Sequence, residues 1–256
     1  MASHPIRDRA RGFALLEVWI ALVVLALLLG GLAMPLAAQV EMRRGEELAR
    51  QLEEARDAVM GFAATQGRLP CPAVDGGDGT EAFAPGADAS TGACADFYGG
   101  YLPAATLGVH GVDARGFARD PWATPANRLR YAVFGGAVNA IANPLTRTDG
   151  MRSATLAGLG AAPHFLFICS SGSEASASGC GPASRQLTRR AAFVIFSLGA
   201  NATQAPGSDE ARNLDGDAVF VSREASNVPG DAYDDVLLWV PIHLVTHRLL
   251  LAGRLP

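Results

Sequence analysis

Glu17 is the one charged residue in the apolar run FALLEVWIALVVLALLLGGLAMPLAAQV, and no further charge occurs between Val18 and Ala38. An unpaired carboxylate in so apolar a setting costs on the order of a few kcal/mol in a membrane. A cationic partner becomes available if the chain is cut between Gly12 and Phe13. The new α-amino group of Phe13 would lie one helical turn from Glu17, where amine and carboxylate pair within or between chains. The run is long enough to cross a hydrocarbon core of about 30 Å as a helix. Arg7, Arg9 and Arg11 precede it, which by the positive-inside rule places the amino terminus in the cytoplasm. The chain beyond about residue 40 then faces the periplasm.

The next residues with chemistry of their own are the cysteines. Cys71 and Cys94 flank one Gly/Asp-rich loop, and Cys169 and Cys180 flank another, SSGSEASASG. Four cysteines allow three pairings. The sequential pairing is the simplest, since each bridge closes one flexible loop for about 3 kcal/mol; free buried thiols are the alternative. No C-x-x-C occurs, which argues against a zinc ribbon or a thioredoxin-like site. No G-x-G-x-x-G follows a strand and no G-x-S-x-G is present, so neither a nucleotide site nor a serine-hydrolase elbow is indicated. His243 and His247 share a helix face but lack the glutamate of H-E-x-x-H. No catalytic set emerges.

The elements that must position these groups are legible in outline. At 256 residues the chain holds one moderate globular domain beside the apolar run. All of its basic residues are arginine, and its net charge of -4 favours no nucleic-acid surface. Leu48, Leu52, Ala55, Val59 and Phe62 recur at steps of four and three, the stripe of an amphipathic helix. Glu46 and Arg50 stand at i,i+4 on its polar face. Gly67 and Pro70 signal its end, so one helix is expected from about Phe13 to Gln66, loosened near Gly30, Gly31 and Pro35. From Gly67 to about Gly100 the chain reads as loop. LRYAVFG, HFLFICSS, AAFVIFSLG, DAVFVSR and DVLLWVP read as strands of a small antiparallel sheet whose apolar face meets the helix stripe. Trp122 and Trp239 are expected to anchor the core. The tail PIHLVTHRLLLAGRLP suggests a short helix with Leu244, Leu250 and Leu251 inward.

Gly12, Phe13, Glu17 and the apolar run behind them resemble the class III signal of type IV pilins and type II secretion pseudopilins. The resemblance implies that a prepilin peptidase cuts after Gly12, that the new amino-terminal Phe13 is N-methylated, and that Glu17 guides assembly. The fold class it implies is α+β: a long N-terminal transmembrane and amphipathic helix packed on a small antiparallel β-sheet, pilin-like, with disulfide-stapled loops. Residues 1–12 would be the cytoplasmic leader. Residues 13–66 would be the long helix, transmembrane over about 13–40 and amphipathic over about 41–66, and residues 67–256 the periplasmic globular domain.

The globular part carries a second likeness. RDPWATPANRLRY resembles the DPWGNPY segment of the major type II secretion pseudopilin, and FSLGAN followed later by YDDVLLW resembles that family's SLGxDG and DDI…W pattern. In that family the loop between these elements wraps a calcium ion. Calcium takes about six to eight oxygen ligands, which adjacent carboxylates and loop carbonyls supply. The resemblance assigns the carbonyl of Leu198, the side chain of Asn201 and the carboxylates of Asp234 and Asp235 as ligands. Asn201 and Ala202 depart from the family's Asp and Gly, and the loop from Thr203 to Tyr233 is longer, so Asp215 and Asp217 stand as further ligand candidates.

The function implied is a non-enzymatic, prepilin-like subunit of a type II secretion pseudopilus or type IV pilus, and the chain's length suits a minor or tip position. Its partners would be the prepilin peptidase, sibling pilin or pseudopilin subunits and an inner-membrane assembly platform. Its location would be the bacterial inner membrane as a single-pass protein, and then the fibre. Two other classes stay open at this point: a signal-anchored periplasmic enzyme or binding protein, and a DNA-uptake minor pilin. For the last, Arg185, Arg189 and Arg190 form the nearest basic stripe.

Overall fold

A computed structural model of the chain describes residues 15–122, 127–201 and 207–256, without the side chains of residues 28–37. The leader, its cut site at Gly12 and Phe13, and the glycines and proline expected to loosen the helix therefore lie outside the described residues or side chains. Helix α1 runs Leu15–Gln66. The chain divides into two compact units, Met1–Glu46 and Glu47–Pro256.

The second unit is built on the expected stripe. Leu48, Leu52, Ala55 and Val59 are all buried, and Ala63 continues the line. Phe62, expected inward, is only half-buried, and the Arg68 guanidinium lies 5.1 Å from its ring centroid. Arg50 pairs with Glu47 at 2.6 Å and Glu54 at 2.6 Å rather than in the expected pairing with Glu46. Gly67, at φ 72°, ends the helix by donating its N–H to Ala63 O at 2.8 Å. A residue with a Cβ is strained in that left-handed turn.

Beyond α1 come α2 (Ala104–Leu107), β1 (Arg130–Val133), the short pair β2 (Ala137–Val138) and β3 (Ile141–Ala142), α3 (Gly150–Ala154), α4 (Leu156–Ala161), β4 (Leu166–Cys169) and β5 (Gln186–Ser197). They are followed by α5 (Asp209–Arg212), β6 (Val219–Val221), the hairpin strands β7 (Ser226–Val228) and β8 (Asp231–Tyr233), β9 (Val236–Pro241) and α6 (Ile242–Leu251). The principal sheet runs β1-β5-β4-β6, with β9 also paired to β5. Strand β5 is its spine, antiparallel to β1, β4 and β9. Its residues from Ala191 to Ser197 are all buried, as in a strand covered on both faces.

Side-chain alternation then separates two apolar clusters. Leu166, Ile168 and Phe220 face the main core with the α1 stripe. Phe167, Cys169, Val219 and Val221 face a smaller cluster with Cys180 and Tyr233.

Two parts of the expected fold class are overturned. The sheet is not antiparallel throughout, because β4 and β6 pair in parallel; the fold is mixed α/β around a curled sheet. Alternation reads the same in either strand direction, so the path between β4 and β6 decides the pairing. Nor, among the described residues, is any helix long and apolar enough to cross a membrane. The apolar run with described side chains, Leu15 to Leu27, falls short of the about 20 residues a span needs, and Glu17 lies within it. Helix α6 is also phased differently from expectation. Ile242, Val245 and Leu249 are buried, whereas Leu244, Leu250 and Leu251 are exposed.

Both disulfides form in the sequential pairing, Cys71–Cys94 with Cα atoms 5.3 Å apart and Cys169–Cys180 at 5.4 Å. The first staples the loop that comes after α1. Replacing Cys71 and Cys94 together by serine is expected to cost about 3 kcal/mol, because the bridge limits the unfolded chain. Thermal unfolding checks this, and an unchanged Tm would contradict it.

Candidate metal centre

The end of β5, helix α5 and the start of β9 meet at three carboxylates. Glu210, Asp234 and Asp235 each bring one oxygen into a group whose atoms lie within 4.8 Å of one another. Each is held there by a separate local device. Glu210 sits in the first turn of α5, which Ser208 caps by accepting the Ala211 N–H at 3.1 Å. This is the short-range signature of a helix start. Asp234 follows the buried Tyr233, whose hydroxyl donates to Val221 O at 2.7 Å. Asp235 leads into β9.

The chain turns past this group at Gly199, with φ 66°. A Cβ on Gly199 would collide with the Asp234 carboxyl, so the position suits glycine both for backbone shape and for space. Asn127 Nδ2 donates to Gly199 O at 2.5 Å, and Ser197 Oγ donates to Asp120 at 2.7 Å. Asp120 of the DPW segment and Asn127, both buried, thus brace the turn, although residues 123–126 lie outside the described residues. Trp122 and Trp239 pack on the core from partly buried positions.

The hydrogen bonds leave a consistent set of oxygens over. Asp234 Oδ2 accepts from Ala200 N at 2.8 Å and Asn201 N at 3.3 Å. Glu210 Oε1 accepts from Asp234 N at 2.9 Å and from Asn201 Nδ2 at 3.1 Å. Asp235 Oδ2 accepts from Asn213 Nδ2 at 2.7 Å. Asn213 in turn accepts the Val221 N–H at 2.7 Å, filling the open side of β6. Asp234 Oδ1 and Asp235 Oδ1 are buried without any hydrogen-bond partner. Orphaned buried oxygens of this kind are costly and call for a cation or proton.

The electrostatics point the same way. Burial, reinforced by the charges of Glu210 and Asp234 and opposed by Asn213, pushes the Asp235 carboxyl up to about 7. Burial also raises Asp234, against the N–H groups of Ala200 and Asn201 and with help from Glu210. Three carboxylates with exclusively oxygen donors suit a hard cation rather than a thiolate- or imidazole-seeking metal. This buried acidic cluster could hold a metal ion.

Of the ligands expected from sequence, Asp234 and Asp235 are in the group, and Asn201 borders it through Glu210. Leu198 is buried at the end of β5, next in the chain to Gly199. Asp215 and Asp217 instead engage Arg212, at 2.7 Å and 3.1 Å. Glu210 joins the group from outside the expected ligand set; the Ser-Asp-Glu run opening α5 signals a helix start but not a ligand. The basic stripe considered for nucleic acid is largely engaged within the fold. Arg190 donates to the carbonyls of Leu159, Gly160 and Ala162, and Arg185 bonds Ser173 at 2.6 Å. Comparison with family models, with curated proteins and with solved structures gave no match.

Proposed function

We propose that this chain is a non-enzymatic, prepilin-like structural subunit of a bacterial type II secretion pseudopilus or type IV pilus, assembled through the amino-terminal part of α1. The observation that carries the reading is the state of that segment. From Leu15 to Leu27 the helix is apolar on every side except at Glu17, and every side is exposed, Leu15 at 92% and Leu27 at 71%. A helix apolar all round requires apolar neighbours, and like helices packed side by side in a fibre provide them. Hydrolysis of the Gly12–Phe13 amide by the prepilin peptidase would free the Phe13 amine within reach of Glu17. Pairing between neighbours then sets register, because apolar packing alone does not discriminate one register from the next.

Both disulfides support an oxidising compartment for the globular unit, which we place in the periplasm, facing sibling subunits. Calcium is the ion we assign to the acidic group. The donors of the group are all carboxylate oxygens, and calcium accepts irregular sets of such ligands.

Glu17→Ala tests the assembly step. The variant is expected to be processed and to accumulate like the parent, yet to be recovered in sheared fibres at a small fraction of the parent level. Incorporation at the parent level would refute the register role.

A further inference from the structure

Among the described residues, three strands of the principal sheet could expose an edge, and the protein covers two of them. The outer side of β1 bonds the chain before it, Val133 N to Phe97 O at 2.9 Å and Tyr131 N to Gly100 O at 3.2 Å. The outer side of β6 is filled by Asn213 and Tyr233 at Val221. Strand β9 is different.

The direction of its backbone groups is set by its neighbours. Phe134 N donates to Ala192 O at 3.1 Å, so by strand alternation Val194 and Phe196 turn their backbone toward β1. Phe193, Ile195 and Ser197 then face β9, where they lie opposite Val240, Leu238 and Val236. The N–H and C=O groups of Leu237 and Trp239 must point the other way, and no described residue bonds to them. The usual devices that blunt an edge are missing between Val236 and Val240: there is no charge, no proline and no register shift. Pro241, which has no N–H to offer, closes the open stretch.

We propose that this edge pairs with the same edge of a second copy of the chain, two β9 strands running antiparallel about a two-fold axis at Leu238. The chemistry selects the occupant. Alternating donors and acceptors spaced roughly 7 Å apart are matched by another strand's backbone. In the symmetric register Leu237 stands opposite Trp239 of the other copy and Trp239 opposite Leu237, so each outward pair exchanges two hydrogen bonds. The facing side chains are uncharged and partly exposed, with Val236 41% exposed, and nothing repels across the axis. The pairing is independent of the fibre reading, which concerns the other end of the chain.

Residue-resolved amide exchange on the detergent-solubilised full-length chain tests it, at rising protein concentration and with Val236→Lys as the edge-blocking variant. Exchange at Leu237 and Trp239 is expected to slow about tenfold with concentration, while Leu238 and Val240 stay protected throughout. Val236→Lys, at an exposed position, is expected to abolish that slowing. Exchange at Leu237 and Trp239 that ignores concentration would overturn the proposal, as would the same slowing in Val236→Lys. Association through α1 would leave both amides unchanged and so reads as the first of these.

Discussion

Without a divalent cation, the folded protein is expected to lose on the order of 4 kcal/mol of stability between about pH 4 and about pH 7. The cause is Asp235, buried and held at about 7 against an ordinary value of 3.8. Below the unfolded value the group carries its proton in both states and stability is fully present. As pH rises, the unfolded chain releases that proton first while the folded chain retains it, so stability falls until the folded value is passed. Calcium bound there as proposed would oppose the effect, because it would stabilise the ionised cluster. At about 100 times its Kd it adds about 2.7 kcal/mol. Tm measured across this range, once with chelator and once with calcium, should therefore show a steep fall and a much shallower one. Asp235→Asn is expected to flatten the chelator curve and remove the calcium response together. A chelator curve already flat in the parent protein would contradict the assignment of Asp235.

The second large effect lies where the chain leaves α1. Arg68 is only 6% exposed, and its guanidinium meets Glu81 in two bonds, at 2.8 Å and 2.7 Å. Glu81 also accepts the Cys71 N–H at 3.2 Å, and its own N–H reaches Thr106 at 2.8 Å. The pair therefore ties the exit of α1 to the stapled loop and to α2. Glu81→Gln leaves a buried cation without its counter-charge, at an expected cost of about 3–5 kcal/mol. Replacing both partners, Arg68→Met with Glu81→Leu, should recover most of that loss, since a well-packed apolar pair carries no desolvation penalty. Chemical denaturation of the two variants separates the cases. A double variant as unstable as Glu81→Gln would mean that packing of the Arg68 guanidinium on the rings of Phe62 and Phe83, 5.1 Å and 5.5 Å from their centroids, not charge, makes the contribution.

The parts of this fold that could be read from sequence are those whose signal is local. Strands β1, β4, β5, β6 and β9 are apolar runs bounded by turn residues, and the α1 stripe repeats over several turns. The cysteines each flank a short polar loop, so proximity in the chain favoured the pairing that formed. What escaped reading depends on distant contacts. On either side of β6, the chain from Gly207 to Tyr233 looks like loop because α5, β7 and β8 are short, and the hairpin's Pro229-Gly230 turn sits between strands that are mostly exposed. Glu210 resembles any acidic residue in a first helical turn until Asp234 and Asp235 are brought against it from the far end of that segment. In α6 adjacent leucines cannot both face inward. The exit from Pro241 sets the phase, and it selects Ile242, Val245 and Leu249.

Glu17 illustrates the same limit from the other side. Its position in the first turn of α1 also satisfies the helix dipole, so the structure of the single chain is consistent with a purely local role. The proposed role needs the amine that processing would create at Phe13, four residues earlier in the chain.

Mass spectrometry of the mature amino terminus, on protein taken from cells with an active prepilin peptidase, interrogates that need without intermediaries. A chain that starts at Phe13 and carries one added methyl group is the expected product. A chain that still starts at Met1 would contradict the fibre-subunit reading.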